Sequence, residues 1–262
     1  AEALGFTHML AYDHVLGADP DRPGGWKKGL YTKDDAFHEP LTLFAYLAGV
    51  TESIGFISNV LISTQRQTAL TAKQAAQVAI VSGGRLRLGI GTGWNQLEYE
   101  ALGVDFAQRG ARLEEQVEVM RRLWTEDSVD FTGKFHRIDK ASILPRPAES
   151  IPVWFGGSAE PALRRAARIG DGWTALGNPG ENSKAALDLI QSVLKAEGRD
   201  PASFGVQAQA QIKGGDPDRW HKHAEAWKDL GATHLAIATT KAGFKSADQH
   251  LEAMQTYLKA VS

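Results

Sequence analysis

Two short stretches carry side chains whose types and spacing could do chemistry. Asp13-His14 sets a carboxylate beside an imidazole at the end of the apolar run 6–12, and no other of the eight histidines combines a strand end with an acidic neighbour. An imidazole so placed suits the transfer of one proton near neutral pH, with Asp13 steering the ring; the structural alternative is a histidine that only packs. Gly156-Gly157-Ser158 is the second stretch. Its glycines leave backbone N–H groups free to converge on an anion, and Ser158 can cap the following helix, whose N-terminus carries partial positive charge. The same residues also read as a plain glycine turn with a helix cap, and Glu160 would repel a phosphate.

A third stretch, 83–95 (GGRLRLGIGTGWN), organises the chain. Leu86, Leu88 and Ile90 alternate with Arg87, Gly89 and Gly91, a strand period that ends in Thr92-Gly93-Trp94-Asn95. Two positions without side chains on one face suit close approach of a flat or phosphorylated ligand; a tight strand-to-helix turn without a ligand uses the same residues. The pattern GxGxG is not the dinucleotide fingerprint. Cysteine is absent, no HExxH spacing occurs, and His221 and His223 lie two apart on a helical segment, facing different directions as surface residues. No metal site is expected. Glycine-rich strand ends without paired carboxylates fit a protein that holds a cofactor supplying its own reactivity.

The elements that must position these residues alternate. Strands are predicted at 6–12, 55–63, 86–90, 152–155, 172–176, 204–212 and 234–239, with helices at 40–54, 72–82, 106–124, 159–169, 183–197, 218–230 and 247–261. In 106–124 an apolar stripe of Phe106, Leu113, Val117, Met120 and Trp124 faces inward, and Glu118 and Arg122 form an outer pair. Residues 1–5 read as the last turn of a helix stopped by Gly5. Two segments interrupt the rhythm: the polar loop 15–39, and 126–150, where Thr132-Gly133-Lys134 marks a hairpin. Seven βα units, with an eighth expected upstream of residue 1, favour a closed (β/α)8 TIM barrel of α/β class in a single domain over 1–262.

Bulk composition narrows the partners. Lys and Arg total 29 against 31 Asp and Glu, so no basic surplus points to nucleic acid or an anionic membrane. No apolar run approaches the roughly 18 residues of a membrane span. The absence of disulfides fits a cytoplasmic location.

Four segments in order, AEALGFTHMLAYDH, EPLTLFAYLAGVTESI, SGGRLRLGIGTGWNQLEYEALGVDFAQRGARLEEQVEVMRRLW and PVWFGGSAEPALRRAARIGDGW, resemble the bacterial luciferase-like monooxygenase superfamily, particularly its coenzyme F420-dependent oxidoreductases. The resemblance implies a barrel binding F420 or FMN at the strand carboxyl ends. It implies a non-prolyl cis peptide at Asn59-Val60 behind the ring and Thr92, Gly93 and Trp94 at the ring edge. Gly156, Gly157 and Gly177, with Ser158, would hold the cofactor phosphate, and His14 would stand near the reactive face. Relatives that oxidise a sugar phosphate carry a glutamate where Trp94 stands and a tryptophan shortly after Asp-His, absent from 15–18. That argues against sugar-phosphate oxidation.

The expected function is hydride transfer between F420 and a small organic substrate, with His14 and Asp13 handling the proton. An FMN-dependent monooxygenase, with a separate flavin reductase as partner, is the alternative; a flavin-binding barrel without turnover is a third. Arg66 and the lysines of 15–39 are candidates for a basic groove along the F420 tail. A homodimer through 40–54 and 72–82 is implied by the resemblance alone.

Overall fold

The computed structural model describes residues 1–27, 31–213 and 215–261, which form two compact units. In the unit Leu10–Pro152 the last two residues of β1 (His8–Ala11), then β2 (Gly55–Ser58) and β3 (Leu86–Ile90) follow one another in that order. β2 and β3 are parallel, with Phe56 opposite Leu86 and Ile57 opposite Arg87. The helices α1 (Pro40–Ala48), α2 (Thr68–Val81), the short α3 (Gln96–Ala101) and α4 (Arg109–Thr125) complete it.

Local chemistry explains these boundaries. α1 opens with Pro40 in its first turn and the Glu39 carboxylate accepting the Thr42 N–H at 2.6 Å. It stops at Ala48 rather than running to residue 54. The Arg85 guanidinium collects the carbonyls of Ala48, Thr51 and Ile54 at 2.8–3.1 Å, satisfying a chain that has left the helix. α4 buries Leu113, Val117, Met120 and Trp124 as the spacing predicts, and the Trp124 indole donates to Ala72 O at 2.9 Å, tying α4 to α2. Phe106 precedes the helix, its ring 5.1 Å from Tyr99 and beneath the Arg109 guanidinium at 3.7 Å. Arg122 bonds Glu126 at 2.7 Å instead of Glu118.

The glycine-bare face of β3 has an occupant from the chain itself. A Cβ on Gly89 would stand 1.9 Å from the Ser58 carbonyl oxygen, one on Gly91 2.6 Å from Val60 Cγ2, and one on Gly93 2.8 Å from Ile62 Cγ2. The missing side chains at Gly89 and Gly91 therefore admit the end of β2 and its continuation, so neighbouring chain already accounts for these two glycines. The Gly89 carbonyl accepts from Ser58 Oγ at 2.7 Å and Leu61 N at 2.8 Å, and a parallel bridge joins Leu61 to Ile90. The Asn59–Val60 peptide between them is cis.

The 126–150 excursion is a hairpin, as Thr132-Gly133-Lys134 predicts: β4 (Val129–Thr132) runs antiparallel to β5 (Arg137–Ala141). Glu115 of α4 holds it by accepting the N–H groups of Lys134 and Phe135 and the Nδ1 of His136, each at 2.8 Å. His136 Nε2 meets Thr68 Oγ1 at 2.6 Å.

In the other unit, Ala1–Met9 with Val153–Ser262, parallel strands β6 (Val153–Gly156), β7 (Gly172–Thr174), β8 (Gly205–Gln211) and β9 (His234–Ala238) follow in order. They alternate with α5 (Glu160–Ile169), α6 (Glu181–Ala196), α7 (Pro217–Asp229) and α8 (Ala247–Val261). Trp154 fills the space beside Gly172 and Gly205, where a Cβ would come within 2.4 and 2.1 Å of the indole. A short 3-10 turn, Glu2–Leu4, ends at Gly5 with φ 88°, the helix stop read from the sequence.

Gly89→Ala is expected to destabilise the protein by about 1–3 kcal/mol or more, because backbone rather than a flexible side chain blocks the methyl. An unchanged melting temperature would contradict that packing. The hairpin anchor gives a pH dependence. Burial raises the Glu115 carboxyl, but the Phe135 N–H, His136 and the Lys134 N–H outweigh it and hold the group below its ordinary range. Burial lowers His136 despite Glu115. Both folded values lie below the unfolded ones, so hairpin docking is complete above about pH 6.5 and weakens as pH falls, first through His136 and then through Glu115. Hydrogen exchange in residues 129–141 should accelerate on acidification, and Glu115→Gln should remove most of the acid-range part of that response.

Candidate active site

The unit Leu10–Pro152 gathers its polar groups around the carboxyl ends of β1 and β3. His14, just beyond β1, places Nδ1 3.4 Å from Oε1 of Glu98, a residue of α3 that is 1% exposed. That separation is a close approach rather than a formed hydrogen bond. The same Glu98 oxygen accepts the N–H groups of Val15 at 2.8 Å and Leu16 at 3.2 Å, and Oε2 takes the Gln65 amide at 3.3 Å. Burial acts to raise the Glu98 carboxyl; contact with His14, the Leu16 N–H and Gln65 outweigh it and keep the carboxylate ionised. Sequence reading missed Glu98. It stands four residues after Trp94, and only the turn of α3 directs it back at His14.

Asp13 does not steer His14, which corrects the expected pairing. Its side chain turns the other way: Oδ2 accepts the Ile62 N–H at 2.9 Å and Oδ1 takes Arg66 at 2.8 Å. Adjacent residues on an extended chain point to opposite sides, so neighbours in sequence diverge here. Asp13 instead secures the segment just beyond Asn59-Val60. Arg66 also binds Glu39 at 2.9 Å, so its guanidinium is engaged by two carboxylates and offers no free charge to an anionic tail. Lys33 is paired with Asp19 at 3.0 Å, Lys27 is exposed, and Lys28 lies outside the described residues.

Loop 15–39 supplies an aromatic surround for His14. Tyr31 lies with its ring centroid 3.8 Å from the imidazole and Phe37 at 4.9 Å. Trp94 stands 6.4 Å from His14 and 5.7 Å from both Tyr31 and Trp26, and it is 48% exposed. Polar ends fix the cluster. The Trp26 indole donates to Tyr31 O at 2.7 Å, and Asn95 donates to the Tyr31 hydroxyl at 2.6 Å while its carbonyl oxygen caps α3 at Leu97 N. Burial and the Glu98 charge push the Tyr31 phenol up, so it remains neutral. Tyr99 holds the Thr92 turn by donating to Thr92 O at 2.5 Å and meeting Thr64 Oγ1.

In the other unit, Gly156 ends β6 and Gly157 follows at φ +113°, its carbonyl accepting the Trp173 indole at 2.8 Å. Ser158 is not the helix cap. Ala159 occupies that position without a side-chain bond, and α5 starts one residue later than expected, leaving Ser158 exposed on the turn. Glu160 is paired with Arg164 at 2.8 Å, which offsets its charge near the turn. Gly177 follows β7 at φ +97° with open space around it. Thr174, opposite Gly156 in the β6–β7 ladder and 2% exposed, carries a hydroxyl with no partner among the described residues. A buried hydroxyl left unpaired is costly, and an oxyanion held at these strand ends would satisfy it. The residues present therefore fit a phosphate. Among the described residues no cluster of metal-type ligands occurs, and no helix is long and apolar enough to cross a membrane.

Residues 1–260 match the model of the family described as luciferase-like monooxygenase. An uncharacterized protein of Mycobacterium tuberculosis is 40% identical over 179 residues, 66% of this chain and 61% of the relative. The F420-dependent glucose-6-phosphate dehydrogenase of Segniliparus rotundus is 32% identical over 231 residues, 84% of this chain and 64% of that protein. The FMNH2-dependent dimethylsulfone monooxygenase of Pseudomonas fluorescens is 32% identical over 174 residues, 65% of this chain and 47% of that protein. The chain thus spans less than two thirds of the length of these curated relatives. Among solved structures, an F420-dependent secondary alcohol dehydrogenase superposes with a TM-score of 0.78 at 17% identity, covering 100% of this chain and 92% of that one. That likeness shows the fold, the α/β barrel class expected from the alternation of elements. This chain belongs to the luciferase-like monooxygenase family.

Proposed function

We propose that this protein is an F420-dependent oxidoreductase that moves a hydride between the deazaflavin and a small organic substrate. The observation that carries the reading is His14, held at a strand end by an ionised, buried Glu98 and surrounded by Tyr31, Phe37 and Trp94. Such a group can give or take one proton in a poorly hydrated setting, which a hydride transfer requires. F420 would supply the hydride chemistry at one ring carbon. Asn59, Val60, Thr92, Gly93 and Trp94 are assigned to the ring by the resemblance, and Gly156, Gly157, Ser158 and Gly177 to the phosphate. Thr174 joins the second set through its unpaired hydroxyl.

Within this reading the side chains divide their work. Glu98 orients the His14 imidazole through its Nδ1 side. Asp13 and Arg66 fix the backbone from Ile62 to Arg66, on which the Thr64–Tyr99–Thr92 contacts depend. Trp94, standing where a sugar-phosphate oxidising relative has its glutamate, presents an apolar face rather than a proton donor. An apolar substrate portion next to Trp94 follows from that exchange.

The second reading, FMN with oxygen chemistry and a reductase partner, has one observation in its favour. Arg66 and Lys33 are both paired with carboxylates, so these two offer no basic track for an oligoglutamate tail. Titration with F420 and with FMN, followed by intrinsic tryptophan fluorescence, separates the two. Micromolar binding of F420 but not FMN supports the first reading, and the reverse overturns it. A dimer through α1 and α2 remains part of the proposal, checked by light scattering.

His14→Ala should lower turnover by roughly 10²–10⁴-fold while leaving cofactor affinity within a few-fold. Equal turnover removes His14 from the reaction. Glu98→Gln should lower turnover, and combined with His14→Ala it should add almost nothing further, a coupling of about 0.5–3 kcal/mol in a double-mutant cycle. Additive losses would show that Glu98 acts elsewhere.

A further inference from the structure

The unit that ends in α8 contains a pocket that the proposed reaction leaves unexplained. It lies at the carboxyl ends of β7 and β8 beside the first turns of α7, with a volume of about 240 Å³. Its cationic wall is Lys213 and Arg219, joined by His223. Gln209 and Gln211 enter from β8, where glutamines alternate with Val206, Ala208 and Ala210, and Gly177-Asn178 enters from the end of β7. No lining residue is a carboxylate.

Three features give this wall a sign. Lys213 and Arg219 have no carboxylate partner among the described residues. The acid nearest Lys213 in sequence, Asp216, has its Oδ1 turned to the N–H groups of Asp218 at 3.0 Å and Arg219 at 3.3 Å, where it caps α7; Asp218, next to Arg219, does not line the pocket. His223, read from the sequence as a surface residue, is half-buried, and its Nδ1 is buried with no partner among the described residues. Burial, and after it the Arg219 charge, hold this imidazole below its ordinary range, so it is neutral and can donate from one nitrogen. The volume is several times the roughly 30 Å³ of one water molecule, enough for a tetrahedral or planar oxyanion.

We propose that this pocket is an anion subsite that takes a phosphate or carboxylate group, gripped by Arg219 and Lys213, with donors from His223 and the β8 glutamines. Guanidinium and ammonium groups bind such anions through charge-assisted hydrogen bonds, and the side-chain amides add orientation without charge. Two sources share this chemistry, an anionic part of the cofactor and an acidic group on the substrate. The inference deepens the proposed function, on which it rests for treating Gly177 as part of a ligand site. Anion binding itself requires no cofactor.

The test follows the His223 imidazole and Trp220 indole resonances at fixed pH 7 and constant ionic strength, titrating inorganic phosphate and, separately, glutarate against sodium chloride. A saturable shift of both resonances with either anion is expected, weakened roughly tenfold or more in the Lys213→Ala/Arg219→Ala double variant. No saturable shift, or an unchanged one in a double variant with a native spectrum elsewhere, overturns the proposal. Adding F420, or FMN if that is the cofactor the protein takes, identifies the source: displacement of phosphate marks a cofactor-borne anion, and simultaneous binding marks an acidic substrate. Phosphate binding in a protein that takes neither F420 nor FMN would leave the anion subsite standing while removing the proposed reaction.

Discussion

The structure around His14 depends on one steric permission, the missing side chains along β3 and the turn that follows it. Where Gly89, Gly91 and Gly93 stand, the chain from Ser58 to Ile62 moves in so closely that methyl groups would collide with it. That approach lets the Gly89 carbonyl accept two hydrogen bonds from the neighbouring segment and lets Leu61 resume the ladder after the cis Asn59–Val60 peptide. Backbone so tightly opposed has few alternatives, because close-packed interiors do not deform continuously. The turn at Thr92 and the start of α3 inherit their position from it, and Glu98 reaches His14 only because α3 begins there.

Buried and half-buried carboxylates then do most of the fastening. Asp13 takes the Ile62 N–H, Glu98 takes those of Val15 and Leu16, and Glu115 takes those of Lys134 and Phe135. In each case an anionic side chain ties a segment distant in sequence to the scaffold through main-chain donors. This anchors the long loop 15–39, which has no regular structure among its described residues, and the hairpin of 126–150, whose two strands pair only with each other. It also explains why acidic residues beside a histidine in sequence are poor guides to its partner. Asp13 is committed to a backbone anchor, and the charge near His14 arrives from 84 residues further on.

Loop 15–39 illustrates the division between composition and placement. Its prolines and glycines mark it as irregular, but the rings it carries have no periodicity to reveal a common target. In the folded unit Tyr31 and Phe37 converge on His14, and Trp26 leans on Trp94. A similar gap separates Gly156-Gly157-Ser158 from its role. The turn was legible, but the cap fell on Ala159, and the unpaired hydroxyl opposite it belongs to Thr174, a strand residue with nothing in its neighbours to single it out.

By itself the sequence determined the alternation of strands and helices, the hairpin at Thr132–Lys134, the stop at Gly5 and the family to which the order of motifs points. Those properties are local: they follow from periodicity, turn chemistry and spacing along the chain. Tertiary structure decided that Glu98 rather than Asp13 attends His14, that Arg66 is already engaged, that the β3 glycines receive a strand, and that Lys213, Arg219 and His223 share one pocket. Each of these depends on the direction in which a side chain leaves the backbone and on what lies across from it. Direction and opposition arise only when distant segments are packed together.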